Sequence, residues 1–573
     1  MPADGGVDAG IAEVLAYHDR TKHHFHRFAA SAGHLDWATQ PDPFRRYAGA
    51  PLLALPHERA VQRVGFDDLS ARVAAPLSVV TAGEFLRCSL GLSAWKQYGA
   101  ARWALRVNPS SGNLHPTEGY LVAPALTGDG WSVCHYAPRE HALEVRARLG
   151  PIAPAAAPAG VMLVALTSIH WREAWKYGER AFRYCQHDVG HAVAALRYAA
   201  ALLGWRLRVL PDWSDADLSA LLGVDQDVPD EVEREHPDCV MAVGPGDVAA
   251  VGGPESWLGA ASRATWTGVP SQLSPGHVDW PAIDRVTEAS YRGEPRHAER
   301  PYAERHSAGR SGDFQAAAVV AGLETVGTSN PAVAVMAPAV RPPGAADARA
   351  LLLQRRSAVA FDGRSALSRA AFATMVRRVD PECPLPDGPG VVPLPWDALQ
   401  RPPQVHLVWF IHRVEGVAPG IYAQVRDPAA LTDLRAGLRG DMLWEPVSGL
   451  DGMYLLAPLD CRNLARRLSC DQDIAADGFF GMAMLARVEP SLRTFGPWFY
   501  RHLYWECGMV GQVLYLEAEA AGARATGIGC YYDDAVHDVL GIQGHDWQSL
   551  YHFSMGRPVE DSRLTTEPGY AWE

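Results

Sequence analysis

Apolar residues recur with a helical period in two long stretches of this chain, and the two stretches follow one pattern. Val189, Val193, Leu196, Ala200 and Leu203 are spaced four, three, four and three residues apart, the signature of one helix face, and Gly204 ends the run. Cys507, Gly511, Leu514, Ala518 and Ala521 repeat that spacing 318 positions later, and Gly522 follows them. Gly190 and Gly508 occupy matching places inside the runs. Beyond each helix an acidic stretch keeps the same offset: Asp215–Val224 (DADLSALLGV) and Asp533–Ile542 (DDAVHDVLGI). Each half then reaches a short apolar strand closed by glycine, Cys239–Gly244 and His552–Gly556, where the offset is lost. Repetition at a fixed period over several elements predicts an internal duplication.

Shorter patterns fill in the class. Tyr120–Ala123, Val161–Leu166 and Val405–Phe410 are compact runs of β-branched and aromatic residues and predict strands. Leu367–Val379 (LSRAAFATMVRRV) predicts an amphipathic helix with Ser368 as its N-cap. The fold class is therefore α+β. A chain of 573 residues exceeds one ordinary core. The halves are expected at 1–265 and 346–573. Between them, 266–345 is expected to hold a crossover, Trp266–Tyr291, with dense Pro and Gly among apolar anchors, and then a Pro/Ala-rich connector around Gly327–Ala348.

Composition narrows the partners. The chain is 48% hydrophobic and 20% charged, which suits folded globular domains. A formal net charge of −13 disfavours nucleic acid, whose phosphates need a basic face, and disfavours anionic membrane surfaces. The start Met1-Pro2-Ala3-Asp4 lacks the basic and apolar regions of a signal peptide, and no run approaches the ~18 apolar residues of a membrane span. The nine cysteines show no C-x-x-C pair, so neither a disulfide framework nor a zinc site is expected, and a reducing cytoplasm fits. Tyr17–Arg27 (YHDRTKHHFHR) is rich in histidine but lacks a ligand set at metal-binding spacing; it is expected to wrap the other half, and no metal is expected.

Chemistry concentrates in Arg106–Tyr120 (RVNPSSGNLHPTEGY). Pro109 and Pro116 forbid a continuous helix, and the residues between them offer backbone N–H groups, hydroxyls and an amide. Such a turn suits a polyhydroxylated, phosphate-bearing ligand, though composition alone favours an ordinary turn. Pro109-Ser110-Ser111-Gly112-Asn113-Leu114-His115-Pro116 resembles the P-S-S-x-N-x-x-P signature of nitroreductase-fold flavoproteins. With Arg106, Glu118 and Tyr120 it resembles more closely the SagB/ThcOx-type dehydrogenases. Tyr17–His24 and Asp36–Arg45 are similar to tandem members of that group.

The resemblance implies a fold, a cofactor and a site. The fold would be two fused nitroreductase-like halves forming a pseudo-dimer within one chain. The cofactor would be FMN. Arg355-Arg356-Ser357, followed by Phe361-Asp362, resembles the family's R-x-S element, whose arginine and serine hold the flavin phosphate and ring edge. Gly527-Ile528-Gly529 resembles the glycine strand beside the flavin ring, where backbone must approach closely. Gly556–Arg563 resembles the carboxy-terminal tail, in which Arg563 would reach phosphate. The pieces are divided between the halves. The first has the Pro109–Asn113 loop but Arg20-Thr21-Lys22 in place of R-x-S; the second has the arginines and glycines but the Pro-rich Pro384–Pro403 in place of the loop. One complete FMN site per chain is therefore expected, with Arg106, Ser110, Ser111 and Asn113 from the first half and Arg355, Ser357, Gly527, Gly529 and Arg563 from the second.

Lys176-Tyr177 matches the Lys-Tyr pair that azoline-oxidising members carry before the long helix, and the second half has Thr494-Phe495 at the same offset. The resemblance implies a catalytic base, with the ammonium lowering the phenol's pKa. Both side chains reach one site only if the segment is irregular. The implied function is FMN-dependent dehydrogenation of a peptide-derived or small-molecule substrate such as an azoline ring, in company with biosynthetic partner enzymes. Two alternatives stay open: an NAD(P)H-dependent nitro or quinone reductase, and a non-catalytic scaffold subunit of a peptide-modifying complex. His115 and Glu118 are expected to fix the turn.

Overall fold

Each half is built on a seven-stranded antiparallel sheet; six strands follow the same order in both, and the edge strand differs, coming first along the chain in the first half but between Gly420–Gln424 and Met453–Pro458 in the second. In the first half the order is Leu52–Ala54, Ala142–Gly150, Trp131–Ala137, Thr117–Pro124, Met162–Ser168, His236–Gly244, Arg206–Val209. In the second it is Glu445–Pro446, Met453–Pro458, Gly420–Gln424, Val405–Ile411, Phe480–Arg487, Trp547–Gly556, Arg524–Ile528. The computed structural model describes residues 4–124, 126, 130–153, 155–225, 230–293, 346–382 and 392–573. The expected strands are present. The closing strands extend further towards the N-terminus than their apolar runs, because the hydrogen-bonded ladder continues through buried polar residues such as Gln548 and Ser549.

Both faces of each sheet are covered, which is why the central strands are apolar runs rather than alternations. Met162, Val164 and Leu166 face the core between the sheets, while Leu163 and Ala165 face an outer core beneath the helices Asp215–Leu222 and Glu255–Ala261. In the second half Leu407, Trp409 and Ile411 face inward, and Val408 and Phe410 face the outer helices.

The layer between the sheets holds two 22-residue helices, Ala181–Leu202 and Phe499–Ala520, whose ends correspond at the 318-residue offset. They cross where Gly190 and Gly508 lie. A Cβ on Gly190 would stand 2.1 Å from the Trp505 carbonyl oxygen, and one on Gly508 would stand 2.2 Å from the His187 carbonyl oxygen. Since 187 and 505 are themselves repeat partners, the contact is self-complementary, as at a two-fold dimer interface. Ion pairs obey the same symmetry. Arg183 reaches Asp533 at 2.8 Å, and its counterpart Arg501 reaches Asp215 at 2.6 Å.

The chain ends are exchanged. The helix Asp4–Arg20 leans on the second half, where His18 bonds the Tyr500 hydroxyl at 3.0 Å and Gln548 at 2.9 Å. The final strand Thr565–Pro568 pairs with Leu92–Tyr98 of the first half, and the Tyr570 hydroxyl donates to the Pro138 carbonyl at 2.6 Å. Ser368 caps the helix Arg369–Arg378 as expected. The crossover holds a strand, Val269–Pro270, and a helix, Pro281–Ala289. The expected connector lies outside the described residues until residue 346.

Candidate active site

A cavity of about 320 Å³ opens at the junction of the halves, at the small end of the usual range for ligand sites. The first half contributes Lys96, Trp103, Leu105, Arg106, the loop Pro109–Asn113, His115, and Asp188 and His191 from its central helix. The second contributes residues 355–359, Tyr515, Arg524, Thr526, Gly527, Tyr551 and residues 558–561.

The loop is wound tightly. Ser110 is extended, and Gly112, Asn113 and His115 follow with φ of 63°, 58° and 51°. Left-handed non-glycine residues carry strain and persist where surroundings enforce them. Here the Ser110 hydroxyl accepts from the His115 N–H at 2.8 Å and donates to Glu173 at 3.3 Å, while the Ser111 N–H donates to Asp188 at 3.3 Å. Gly112 is required for space as well as φ. A Cβ there would lie 2.8 Å from the Tyr177 hydroxyl and 3.0 Å from the Lys176 Nζ. Lys176 and Tyr177 thus converge behind the loop. They do so because they end the helix His170–Tyr177, which breaks at Gly178 (φ 55°), the irregularity that lets neighbours point one way.

Charge at the cavity is unbalanced towards cations. Arg355 is 3% exposed; its Nε and Nη2 donate to the carbonyls of Val107 (3.1 Å) and Arg106 (3.2 Å), and its buried Nη1 has no partner. Arg356 donates to the carbonyls of Leu353, Arg355 and Ser93. Among the described residues neither guanidinium forms an ion pair. Burial pulls Arg355 below the usual arginine range, and burial together with Arg355 lowers Arg356 to about 10. Buried cations in this state favour an anion. Arg106 Nε, His115 Nδ1 and His191 Nδ1 are further buried polar atoms without protein partners. Ser357 bonds the Tyr515 hydroxyl at 2.9 Å, and that hydroxyl also accepts from the Gly527 N–H at 2.9 Å.

Behind the loop the balance reverses. Burial and mutual repulsion raise the Glu173 carboxyl well above its ordinary range, and burial raises Asp188 likewise. The Tyr177 phenol is also pushed up, first by burial and then by Glu173. That corrects one expectation: beside Lys176 the Tyr177 phenol is raised rather than acidified, because burial, reinforced by Glu173, dominates.

Of the expected residues, Arg106, Pro109, Ser110, Ser111, Gly112, Asn113, Arg355, Arg356, Ser357 and Gly527 line one cavity, and Lys176 and Tyr177 abut it. Three do not line it. Ile528 is buried against the outer helices. Gly529 faces Tyr184, and its carbonyl accepts from Arg180 and Tyr184. Arg563 pairs with Asp561 on the surface at 2.7 Å. Asp188, His191, Tyr515 and Tyr551 were not foreseen, since on helices and strands they read as core positions. The repeat held a clue: Tyr515 corresponds to Arg197, a change unexpected within a buried face.

The symmetry-related position is built differently. The segment after residue 391, with a turn at Trp396–Ala398, packs into it, and Leu394 and Trp396 are buried. Glu506, the counterpart of Asp188, accepts from Arg401, Arg426 and the N–H groups of Gln404 and Val405. Arg20, at the end of its helix as Arg355 is at the end of Ala348–Gln354, has its fork occupied by Glu179 at 2.8 and 2.6 Å.

Residues 462–557 match the family model described as the Nitroreductase family. No curated protein matches the chain. Among solved structures, a candidate nitroreductase from Anabaena variabilis is 20% identical, with 96% of this chain and 99% of that chain covered and a TM-score of 0.62. The E. coli microcin synthetase McbBCD complex with truncated pro-MccB17 bound is 19% identical over 36% of this chain and 70% of that chain, at a TM-score of 0.28. A candidate nitroreductase from Ralstonia eutropha is 15% identical over 37% and 82%, at 0.25. The latter two scores support no argument. Part of the second half is thus similar to the Nitroreductase family, and the whole chain has the fold of two fused nitroreductase-like halves.

Proposed function

We propose that the cavity holds one FMN per chain and that the protein is an FMN-dependent oxidoreductase of the SagB/ThcOx type. It would dehydrogenate a peptide-derived or small-molecule substrate such as an azoline ring. The observation that carries this is Arg355, a buried guanidinium with an unpaired Nη1 on a cavity wall that faces the Ser110–Asn113 loop. A phosphate matches a guanidinium fork with paired oxygens, so Arg355, Arg356 and Ser357 would hold that end, with Lys96 and Arg524 beside them. The Ser111 hydroxyl and Asn113 amide of the loop and the flat walls of Trp103, Tyr515 and Tyr551 suit an aromatic ring with polar edges. Bound there, FMN supplies two-electron chemistry by taking up or releasing a hydride equivalent.

The chain's own share is positioning and proton handling. Gly112 brings backbone, Tyr177 and Lys176 together at one point. Tyr177, kept as a phenol by burial and Glu173, is a hydrogen-bond donor at neutral pH and orients a substrate heteroatom. Glu173 and Asp188 lie together at the loop's base, where burial favours the protonated form of both carboxyls. The neutral phenol, which is no base, also favours a second reading, reduction of a nitro compound or quinone by NAD(P)H, chemistry that needs little acid–base help from the protein. Stopped-flow mixing with NAD(P)H separates the two. Slow flavin bleaching, with a ~100-fold loss of azoline oxidation in Tyr177→Phe, supports the dehydrogenase. Rapid bleaching that is indifferent to Tyr177→Phe supports the reductase.

A further inference from the structure

Two cysteines far apart in sequence meet in this fold. Cys470 and Cys530 place their sulfurs 2.9 Å apart, and both are half-buried, whereas the other six described cysteines are buried. Cys530 follows Gly529 at the end of the strand Arg524–Ile528, and Cys470 lies two residues beyond the helix Arg462–Leu468. We propose that Cys470, Cys530 and His23 form a thiol–disulfide exchange site that takes small-molecule disulfides and closes to an intramolecular disulfide. It does not depend on the proposed flavin chemistry.

The surroundings are built to hold a thiolate on Cys530. His23 is only 7% exposed and is clamped: its N–H donates to Asp533 at 2.9 Å, and its carbonyl accepts from the Asp533 N–H at 3.1 Å. Its Nδ1 accepts from the Ala29 N–H at 3.0 Å. The ring proton therefore sits on Nε2, and the His23 ring interacts favourably with the Cys530 thiolate. Arg180 donates to the adjacent Gly529 carbonyl at 3.1 Å and adds positive charge. The hydrogen bond from Cys470, then His23 and Arg180, hold the Cys530 thiol below its ordinary range against burial; Cys470 is pushed up by Cys530 and by burial.

The loop presenting Cys470 is strained towards its partner. Cys470 and Asp471 are consecutive left-handed residues, φ 54° and 57°, and the Gln472 amide ties the loop to the Cys530 carbonyl at 3.0 Å. The roles follow from the asymmetry. The Cys530 thiolate attacks a disulfide RSSR, forming Cys530–S–SR and releasing RS⁻. Cys470 then loses its proton and attacks the Cys530 sulfur, forming the Cys470–Cys530 bond and releasing the second RS⁻. In sum two protein thiols and RSSR give a protein disulfide and two RSH.

The test treats the full chain with oxidised glutathione at neutral pH and maps thiols by peptide mass spectrometry. The expected product is a peptide pair joined at 470 and 530, two hydrogens lighter, with the six buried cysteines still reduced. In Cys470→Ser a stable glutathione adduct should accumulate on Cys530. The pH midpoint of Cys530 alkylation should rise by about one pH unit in His23→Ala, which is about a tenfold loss of rate on the acid side of the wild-type midpoint. Wild-type protein in which both cysteines stay reduced, or in which Cys530 alkylates no faster than an ordinary thiol, overturns the proposal.

Discussion

Arg197 and Asp397 close the second symmetric position with a forked ion pair, Nε at 2.9 and 3.0 Å from the two carboxylate oxygens and Nη2 at 2.7 Å. Arg197 is the repeat partner of Tyr515, which walls the cavity in the other position. A position that walls an open cavity in one half makes a sealed protein contact in the other. The carboxylate is 31% exposed, so solvent screens the pair. Asp397→Asn is expected to cost about 1–2 kcal/mol in urea unfolding and to leave flavin content unchanged.

The helix crossing at Gly190 and Gly508 leaves no room for a methyl group. Gly508→Ala places a Cβ against the His187 carbonyl and the His191 amide, backbone atoms that cannot swing aside. A loss of about 3 kcal/mol or more is expected in denaturant unfolding, with weakened flavin retention because the cavity lies across that junction. Gly6→Ala, where nothing lies within 4 Å, serves as the control and should be near neutral.

Arg355 is expected to separate charge from geometry. Arg355→Ala should weaken FMN binding by about 10–100-fold, the range for losing charge-assisted hydrogen bonds. Arg355→Lys keeps the charge without the fork and should fall between. Arg563→Ala, whose side chain pairs with Asp561 at the rim and does not itself line the cavity, should change the affinity little. Fluorescence titration of flavin-stripped protein reads all three.

Much of this was legible in sequence where one element's own pattern sufficed. The 318-residue offset located both central helices and their C-terminal ends, because the apolar face and the glycine stop are local properties; their first eight residues lay outside the periodic runs. Pro109–Asn113 and Arg355–Ser357 were legible as motifs, and they line one cavity because the halves face each other. Asp188, Tyr515 and Tyr551 were not, since a side chain on a buried helix face or strand shows its role only when the other half is in place. Arg563 departs from expectation because Asp561, two residues before it, captures its fork. The pairing of Thr565–Pro568 with Leu92–Tyr98 and the meeting of Cys470 with Cys530 depend on long-range topology that no periodicity encodes.

Stability should respond to pH through His135, buried between Glu144 (Nδ1, 2.9 Å) and Glu118 (Nε2, 3.0 Å). Burial acts to lower its pKa, but the two carboxylates outweigh it and hold it up at about 9, above the ordinary 6.5. The resulting stability is fully present below pH 6.5 and is lost as pH rises through about 9. Glu118 is the converse: Arg172 and His135 overcome burial and hold it down at about 2, so its contribution is present above 4.5 and lost as pH falls through about 2. Denaturant midpoints measured from pH 6 to 10 should decline on the alkaline side, and His135→Gln should flatten that decline.

Flavin stoichiometry tests the central claim most directly. Protein purified in the presence of excess FMN, then desalted and denatured, should release one FMN per chain by absorbance against protein concentration. Two FMN per chain would contradict a single site built from both halves, and a protein that releases none and takes up none would contradict the cofactor itself.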